Sequence, residues 1–159
     1  MTINEPDAVL TGDGRQSLIA GEIQRGACRL LRALGQSVVT ELPLASGHRA
    51  DIAALSRNGE IWIVEIKSCL ADFRADAKWE AYRSFCDRFF FAVLESFPRE
   101  VLPADTGLIV ADRYAGAVIR EAPEHRIAGA RRKAVTLRFA RAAALRLQSV
   151  HDPGPAGDV

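Results

Sequence analysis

The sequence predicts an α/β domain with a mixed central sheet flanked by helices, in the order α-β-β-β-α-β followed by a β-β-α tail. Three observations favour this class. After residue 16, apolar residues recur at three- and four-residue spacing until Gly35, as in an amphipathic helix. Residues 61–66, IWIVEI, are almost all β-branched or aromatic, which is typical of a strand buried on both faces. A helix predicted over residues 76–87 then leads to a second apolar run, residues 88–93, so these two strands should be parallel through a right-handed crossover.

The remaining elements follow from local patterns. Strands are predicted at residues 37–44, 107–112 and 115–122, and the last helix at residues 134–148. That helix is expected to bury a stripe formed by Leu137, Ala140, Ala144 and Leu147. Gly26, in the first helix, should allow close approach by another backbone or by a ligand.

Length and composition indicate one small domain. The 159 residues, 48% of them hydrophobic, provide one core over residues 15–150, with a flexible start at residues 1–14 and a disordered tail at residues 151–159. No apolar run approaches the roughly 18 residues that cross a bilayer, and the first residues lack the features of a secretory signal. The sequence therefore predicts a cytoplasmic protein without a membrane segment. Its three cysteines are predicted to be reduced packing residues, because their number is odd and they lie far apart.

The turn before residue 61 decides which charged residues meet. A two-residue loop at Asn58-Gly59 would place Asp51 opposite Ile66, on the other face from Glu65. A three-residue loop, residues 57–59, with Gly59 in the left-handed position of a bulge, instead pairs Asp51 with Glu65. The second register is the one that brings both carboxylates to one face.

Paired carboxylates of this kind suit a cation. Their Cβ atoms would lie roughly 5 Å apart, and a bound divalent ion such as Mg²⁺ would relieve their repulsion. Lys67 lies on the same face, about 7 Å further along the strand, where its ammonium could reach a metal-bound water. This geometry is typical of metal-assisted hydrolysis. The alternative is a strand-end ion pair between Glu65 and Lys67, with Asp51 merely ending its strand.

These residues resemble the signature of the PD-(D/E)XK nuclease superfamily, with Ala50 in place of the proline. The chain resembles the MmcB-type DNA-repair proteins more closely, from about residue 16 to residue 148. The matching segments are Arg49-Ala50-Asp51-Ile52, Val64-Glu65-Ile66-Lys67-Ser68, Asp72-Phe73, Asp76-x-Lys78-Trp79-x-x-Tyr82 and Cys86-Asp87-x-Phe89-Phe90-Phe91-Ala92-Val93.

The resemblance implies a restriction-endonuclease-like core and a DNA phosphodiesterase that uses Mg²⁺ or Mn²⁺. Asp51, Glu65 and the Ile66 carbonyl would hold the metal, and Lys67 would orient water or stabilise charge. In many such nucleases a glutamate of the first helix also contributes to the metal site, which here would be Glu22, unless it simply faces solvent. A second hypothesis is a catalytically inactive DNA-binding or scaffold protein that works with other repair proteins.

Charge distribution gives a modest indication of DNA binding. The net charge is +1, but residues 113–150 hold nine Lys/Arg against two acids, a local net charge of +7. Such clustering fits either phosphate binding or a solvated helix face. The predicted nucleic-acid contacts are Arg131, Arg132 and Lys133, with Lys78 reaching a scissile phosphate, anchoring Glu65 or extending to solvent. His48 is read as a turn residue.

Overall fold

The computed structural model of the protein describes residues 12–154. Four α-helices and six strands are formed in that part of the chain. In chain order they are α1 Gly12–Ala33, β1 Ser37–Pro43, β2 Arg49–Leu55, β3 Ile61–Ile66, α2 Leu70–Ala75, α3 Trp79–Tyr82, β4 Arg88–Val93, β5 Gly107–Ala111, β6 Gly116–Arg120 and α4 Gly129–His151. There are also two short 3₁₀ turns in this part of the chain, Arg83–Phe85 and Arg99–Val101. None of the described helices is long and apolar enough to cross a membrane.

The strands form one sheet in the order β1-β2-β3-β4-β5-β6. The pairings β1–β2, β2–β3 and β5–β6 are antiparallel, whereas β3–β4 and β4–β5 are parallel. The predicted mixed sheet flanked by helices is therefore confirmed, including the parallel pair on either side of the 67–87 segment. That crossover brings the carboxyl ends of β3 and β4 to the same edge of the sheet.

Helices cover both faces of the sheet. α1 packs through Ile23, Ala27 and Leu31 against one face, whose centre is Val64 and Phe90. The opposite face is covered by α4 and by the segment after β3. In that second cluster Val135 and Phe139 of α4 are buried together with Phe85, Phe89 and Phe91.

α1 also lies close to the turn between β5 and β6. A Cβ atom on Gly26 would lie 1.9 Å from the Asp112 carbonyl oxygen and 2.5 Å from that of Ala115. Of the two alternatives for Gly26, close approach by another backbone is thus the one observed. A side chain here would push α1 away from the sheet.

The predicted helix over residues 76–87 is wrong. Within it only α3 and the 3₁₀ turn Arg83–Phe85 are helical, and α2 ends before it at Ala75. Asp76, between α2 and α3, has an extended backbone with φ −93° and ψ 101°. The Asp76 carboxylate accepts hydrogen bonds from Lys67 Nζ and from the Lys78 main-chain N–H. These contacts stabilise the break, because a continuous helix would carry Asp76 away from Lys67.

α4 is longer than predicted and buries a different stripe. It begins at Gly129, so residues 131–133 lie inside it. Val135 and Phe139 are its buried residues, whereas Leu137 and Leu147 are 54% and 59% exposed. The bidentate contact of Arg132 with Asp87 sets the rotation of the helix at its start.

The predictions for the two ends of the chain are only partly open to comparison. α1 includes residues 12–14, which were expected to be flexible, and α4 extends to His151. Residues 1–11 and 155–159, the rest of the expected flexible start and tail, lie outside the described residues. The three cysteines are unpaired as predicted, and Cys86 is buried.

Candidate active site

The hairpin between β2 and β3 has the three-residue loop. Gly59 has φ +85°, the left-handed value that favours glycine. The Ser56 N–H donates to the Glu60 carbonyl at 3.0 Å, and the Gly59 N–H donates to the Ser56 carbonyl at 3.1 Å. Ile52 is consequently paired with Val64. The predicted register, in which Asp51 lies opposite Glu65, is confirmed.

The two carboxylates exchange hydrogen bonds with each other's strand. The Ile66 N–H donates to Asp51 Oδ2 at 2.8 Å, and the Asp51 N–H donates to Glu65 Oε1 at 3.1 Å. Within the described part of the chain, Asp51 Oδ1 and Glu65 Oε2 have no protein hydrogen-bond donor. Each carboxylate thus keeps one oxygen available for a ligand.

Burial makes this pair costly to ionise. Glu65 is only 5% exposed, and burial together with the neighbouring Asp51 charge raises its pKa to about 9. Burial also raises the pKa of Asp51 above its usual value, against the opposing effect of the Ile66 N–H. At neutral pH the Glu65 carboxyl therefore holds a proton unless a cation compensates for the charge.

A cavity of about 440 Å³ opens over these carboxylates at the end of the sheet. We call it the carboxylate cavity. Its walls come from α1, from the ends of β1, β2 and β3, and from α2. The lining residues are Ser17, Ala20, Gly21, Gln24, Glu41, Asp51, Glu65, Ile66, Lys67 and Asp72.

Glu22 does not line the carboxylate cavity, contrary to the expectation from the first helix. α1 presents Ser17, Gly21 and Gln24 there instead. At about 100° per residue, Glu22 lies roughly 150° around the helix from this face. The structure thus separates Glu22 from the two strand carboxylates.

Lys67 is buried beside the pair, but its ion-pair partner is Asp76. Its side chain is 6% exposed, and Nζ lies 2.6 Å from Asp76 Oδ2. Burial alone would raise the pKa of Asp76, but the hydrogen bonds from Lys67 and from the Lys78 N–H hold that pKa below its usual value. The alternative of an ion pair between Glu65 and Lys67 is not what the structure shows. Lys78 itself is exposed and does not anchor Glu65.

Two further acids at the cavity were missed from the sequence. Glu41 lies on β1 between Thr40 and Leu42. These two residues pair with Ile52 and Ala50 of β2, so Glu41 is opposite Asp51. It has φ +52°, a conformation rare outside glycine and not indicated by the strand pattern of residues 37–44. Asp72 accepts hydrogen bonds from the Ser68 N–H and hydroxyl. In the sequence, Asp72 stood out only as part of the matching segment Asp72-Phe73.

The donor set is compatible with magnesium. No cluster of three or more His, Cys, Asp or Glu side chains suited to a metal occurs in residues 12–154. Mg²⁺ does not need one, because it commonly retains several waters and is held by one or two carboxylates. Asp51 and Glu65 each have an available oxygen, and Ile66 lines the same cavity. These residues therefore fit a hydrated hard cation.

The predicted basic contacts lie at the other end of the sheet. Arg132 Nη1 donates to the Gly59 carbonyl at 2.8 Å, and Arg132 binds Asp87 through both terminal nitrogens. Because the Gly59 loop joins the ends of β2 and β3 that are remote from Asp51 and Glu65, residues 131–133 are remote from the cavity as well. Arg132 is held by these protein contacts, and its role as a DNA contact stays a prediction.

Comparison with known proteins connects the chain to one family. The sequence model described as DNA repair protein MmcB-like matches residues 7–154. Among solved structures, the SPO1766 protein of unknown function from Silicibacter pomeroyi is similar, with 48% identity and a TM-score of 0.83 over 87% of this chain and 94% of that chain. None of the curated proteins gives a significant match.

Proposed function

The chain belongs to the MmcB-like DNA repair protein family, and on that premise we propose that it is a Mg²⁺-dependent phosphodiesterase acting on DNA, built on a restriction-endonuclease-like core. The observation that carries this proposal is the arrangement of Asp51 and Glu65. Glu65 is buried beside the half-buried Asp51, and burial raises the pKa of Glu65 to about 9. A protein gains little stability from such a pair unless something positive binds there.

In this proposal the residues of the carboxylate cavity have different roles. Asp51, Glu65 and the Ile66 carbonyl would hold Mg²⁺ or Mn²⁺. When bound, the ion would lower the pKa of a water and reduce charge on the phosphate. The Asp51 and Ile66 main-chain N–H groups orient the two carboxylates, so each presents its other oxygen.

Lys67 would stabilise negative charge on the phosphate as the bond to the attacking oxygen forms. Asp76 limits where its ammonium can lie, because the ion pair of 2.6 Å holds Nζ at the base of α3. Lys78 is exposed two residues beyond Asp76, where it would contact a neighbouring phosphate.

A catalytically inactive DNA-binding scaffold is the second candidate. The observation that favours it is the same ion pair, since Lys67 is occupied by Asp76 and lacks a direct hydrogen bond to either strand carboxylate. In this case the fold and the DNA surface would be retained within a repair assembly, and no cleavage would occur.

Cleavage assays distinguish the candidates. The purified protein should nick or degrade single-stranded, flapped, branched or duplex DNA with Mg²⁺ or Mn²⁺. Asp51→Asn should abolish cleavage, and Lys67→Ala should lower the rate by about 10² or more, since it removes charge stabilisation in the transition state. Arg57→Gln, an exposed change at the remote hairpin loop, is the control. Activity that survives both cavity substitutions would come from a contaminant, and no activity on any substrate would favour the scaffold.

A further inference from the structure

α4 carries a set of cations that have no counter-charge within the described part of the chain. Its 23 residues, from Gly129 to His151, include no Asp or Glu. Arg132 is bound to Asp87, and Arg146 donates to the main-chain carbonyls of Thr40 and Glu41. Arg131, Lys133, Arg138 and Arg141 are exposed and have no ion-pair partner in the described structure.

Three of these four cations share one side of the helix. At about 100° per residue, Arg131, Arg138 and Arg141 fall within roughly 80° of arc. Lys133 lies about 125° away from the centre of that arc. We call the surface of Arg131, Arg138 and Arg141 the arginine row.

The arginine row is held in place by the fold. Val135 and Phe139 anchor α4 to the sheet, and the Arg132–Asp87 contact sets its rotation. The Arg131 guanidinium lies 4.6 Å from the ring centroid of Phe85, which fixes its plane and leaves its N–H edge accessible. Because the helix is fixed, binding an anion has to order only the arginine side chains and not the backbone that carries them.

We infer that the arginine row binds the sugar-phosphate backbone of duplex DNA. Arg131 and Arg141 are ten residues apart, about 15 Å along the helix axis, which spans four to five phosphates at 3.4 Å each along one strand. Single-stranded DNA fits less well, because its binding sites combine cations with exposed aromatic rings. Phe139 is the aromatic residue of α4, and it is buried.

The arginine row also has a defined relation to the carboxylate cavity. Five residues after Arg141, about 7.5 Å along the helix, Arg146 binds the carbonyl of Glu41, and Glu41 lines the cavity. A duplex bound along α4 would therefore run towards the cavity rim. The cavity itself is lined by four acids and one lysine, so it repels phosphate in the absence of a cation. Initial attraction must come from elsewhere, and α4 provides it. This inference takes DNA as the partner from the proposed function.

The test is the salt dependence of duplex binding, measured by fluorescence anisotropy in EDTA so that no cleavage occurs. Each phosphate contact contributes about 0.9 to the slope of log K against log salt. The Arg138→Gln/Arg141→Gln double variant should lower the slope by about 1.8 and weaken binding roughly 30-fold near 0.15 M salt. Arg57→Gln is the matched control, because it removes one exposed arginine at the hairpin loop, off the arginine row, and should bind within about twofold of the unmodified protein.

An unchanged slope in the double variant, or an equal loss in Arg57→Gln, would overturn the inference. So would a slope change near 0.7 per residue on single strands with no duplex binding, or binding that is stronger to phosphatidylglycerol vesicles than to DNA. Circular dichroism of both variants guards against misfolding. Because binding is measured without metal, a protein that binds duplex through the arginine row but never cleaves it would contradict only the phosphodiesterase.

Discussion

Strand β3 has a buried carboxylate near each end, and the two are satisfied in opposite ways. At its start, Asp87 accepts the Ile61 N–H at 2.8 Å, the Ile127 N–H at 3.1 Å and both terminal nitrogens of Arg132 at 2.6 and 2.7 Å. Burial alone would raise the pKa of Asp87, but these donors hold it below its usual value. At the other end, Glu65 accepts one main-chain N–H and lies next to Asp51, and its pKa is raised to about 9.

Burial is similar at the two ends, since Asp87 is 2% and Glu65 is 5% exposed. What differs is the number of donors directed at each carboxylate. The protein supplies all the hydrogen-bond donors around the Asp87 carboxylate, which links β3, β4 and α4. Glu65 is incomplete without a further positive group. The missing donors, rather than burial, mark the Glu65 end of the sheet as the candidate ligand site.

The largest effect is expected from Asp87→Asn. Asparagine would leave the Arg132 guanidinium without its counter-charge, and loss of one partner of a buried ion pair typically costs about 3–5 kcal/mol of unfolding free energy. Urea unfolding measures it. Asp105→Asn is the control, because its pair with Arg83 is at the surface and its loss should change stability little. An Asp87→Asn protein as stable as the unmodified one would show that this end is not structural.

A smaller effect, of opposite sign, is expected from Glu65→Gln in EDTA. The folded-state pKa of Glu65 is about 9, above the value near 4.5 in the unfolded chain, so its ionisation favours unfolding as pH rises between these values. Glutamine does not titrate. The variant should gain stability relative to the unmodified protein from pH 5 to pH 9.

At pH 8 we expect the Glu65→Gln variant to melt higher than the unmodified protein, and the gain should be larger than at pH 5. Thermal denaturation at both pH values measures the difference. If Glu65→Gln melts lower than the unmodified protein at every pH, Glu65 is a structural carboxylate like Asp87, and the two ends of β3 do not differ in this way.

The sequence predicted the hairpin correctly because its information is local. Asn58 and Gly59 allow two loop lengths, and only the bulged loop brings Asp51 opposite Glu65. The apolar strands at residues 61–66 and 88–93 and their parallel pairing also follow from pattern and chain connectivity. Thus the core of the candidate site could be derived from the residues between 51 and 67.

The parts that were wrong depend on contacts between distant residues. The helix expected from residue 76 begins only at Trp79, because Lys67, nine residues earlier, binds Asp76, whose backbone is extended. The buried stripe of α4 follows from the Asp87–Arg132 contact, across 45 residues. Glu41 reaches the cavity through a left-handed backbone conformation that no propensity indicates. Such contacts become visible only when the chain is folded.

Metal-binding calorimetry tests most directly whether the end of the sheet that holds Asp51 and Glu65 binds a cation. Titration of Mn²⁺ or Mg²⁺ into the unmodified protein at pH 7.5, in buffers of different ionisation enthalpy, should show binding with release of about one proton, because Glu65 must lose its proton to act as a ligand. Asp51→Asn should abolish the binding heat, whereas Lys133→Gln should retain it. If the unmodified protein does not bind the ion, or if Asp51→Asn binds it with equal affinity, Asp51 and Glu65 do not form a cation site.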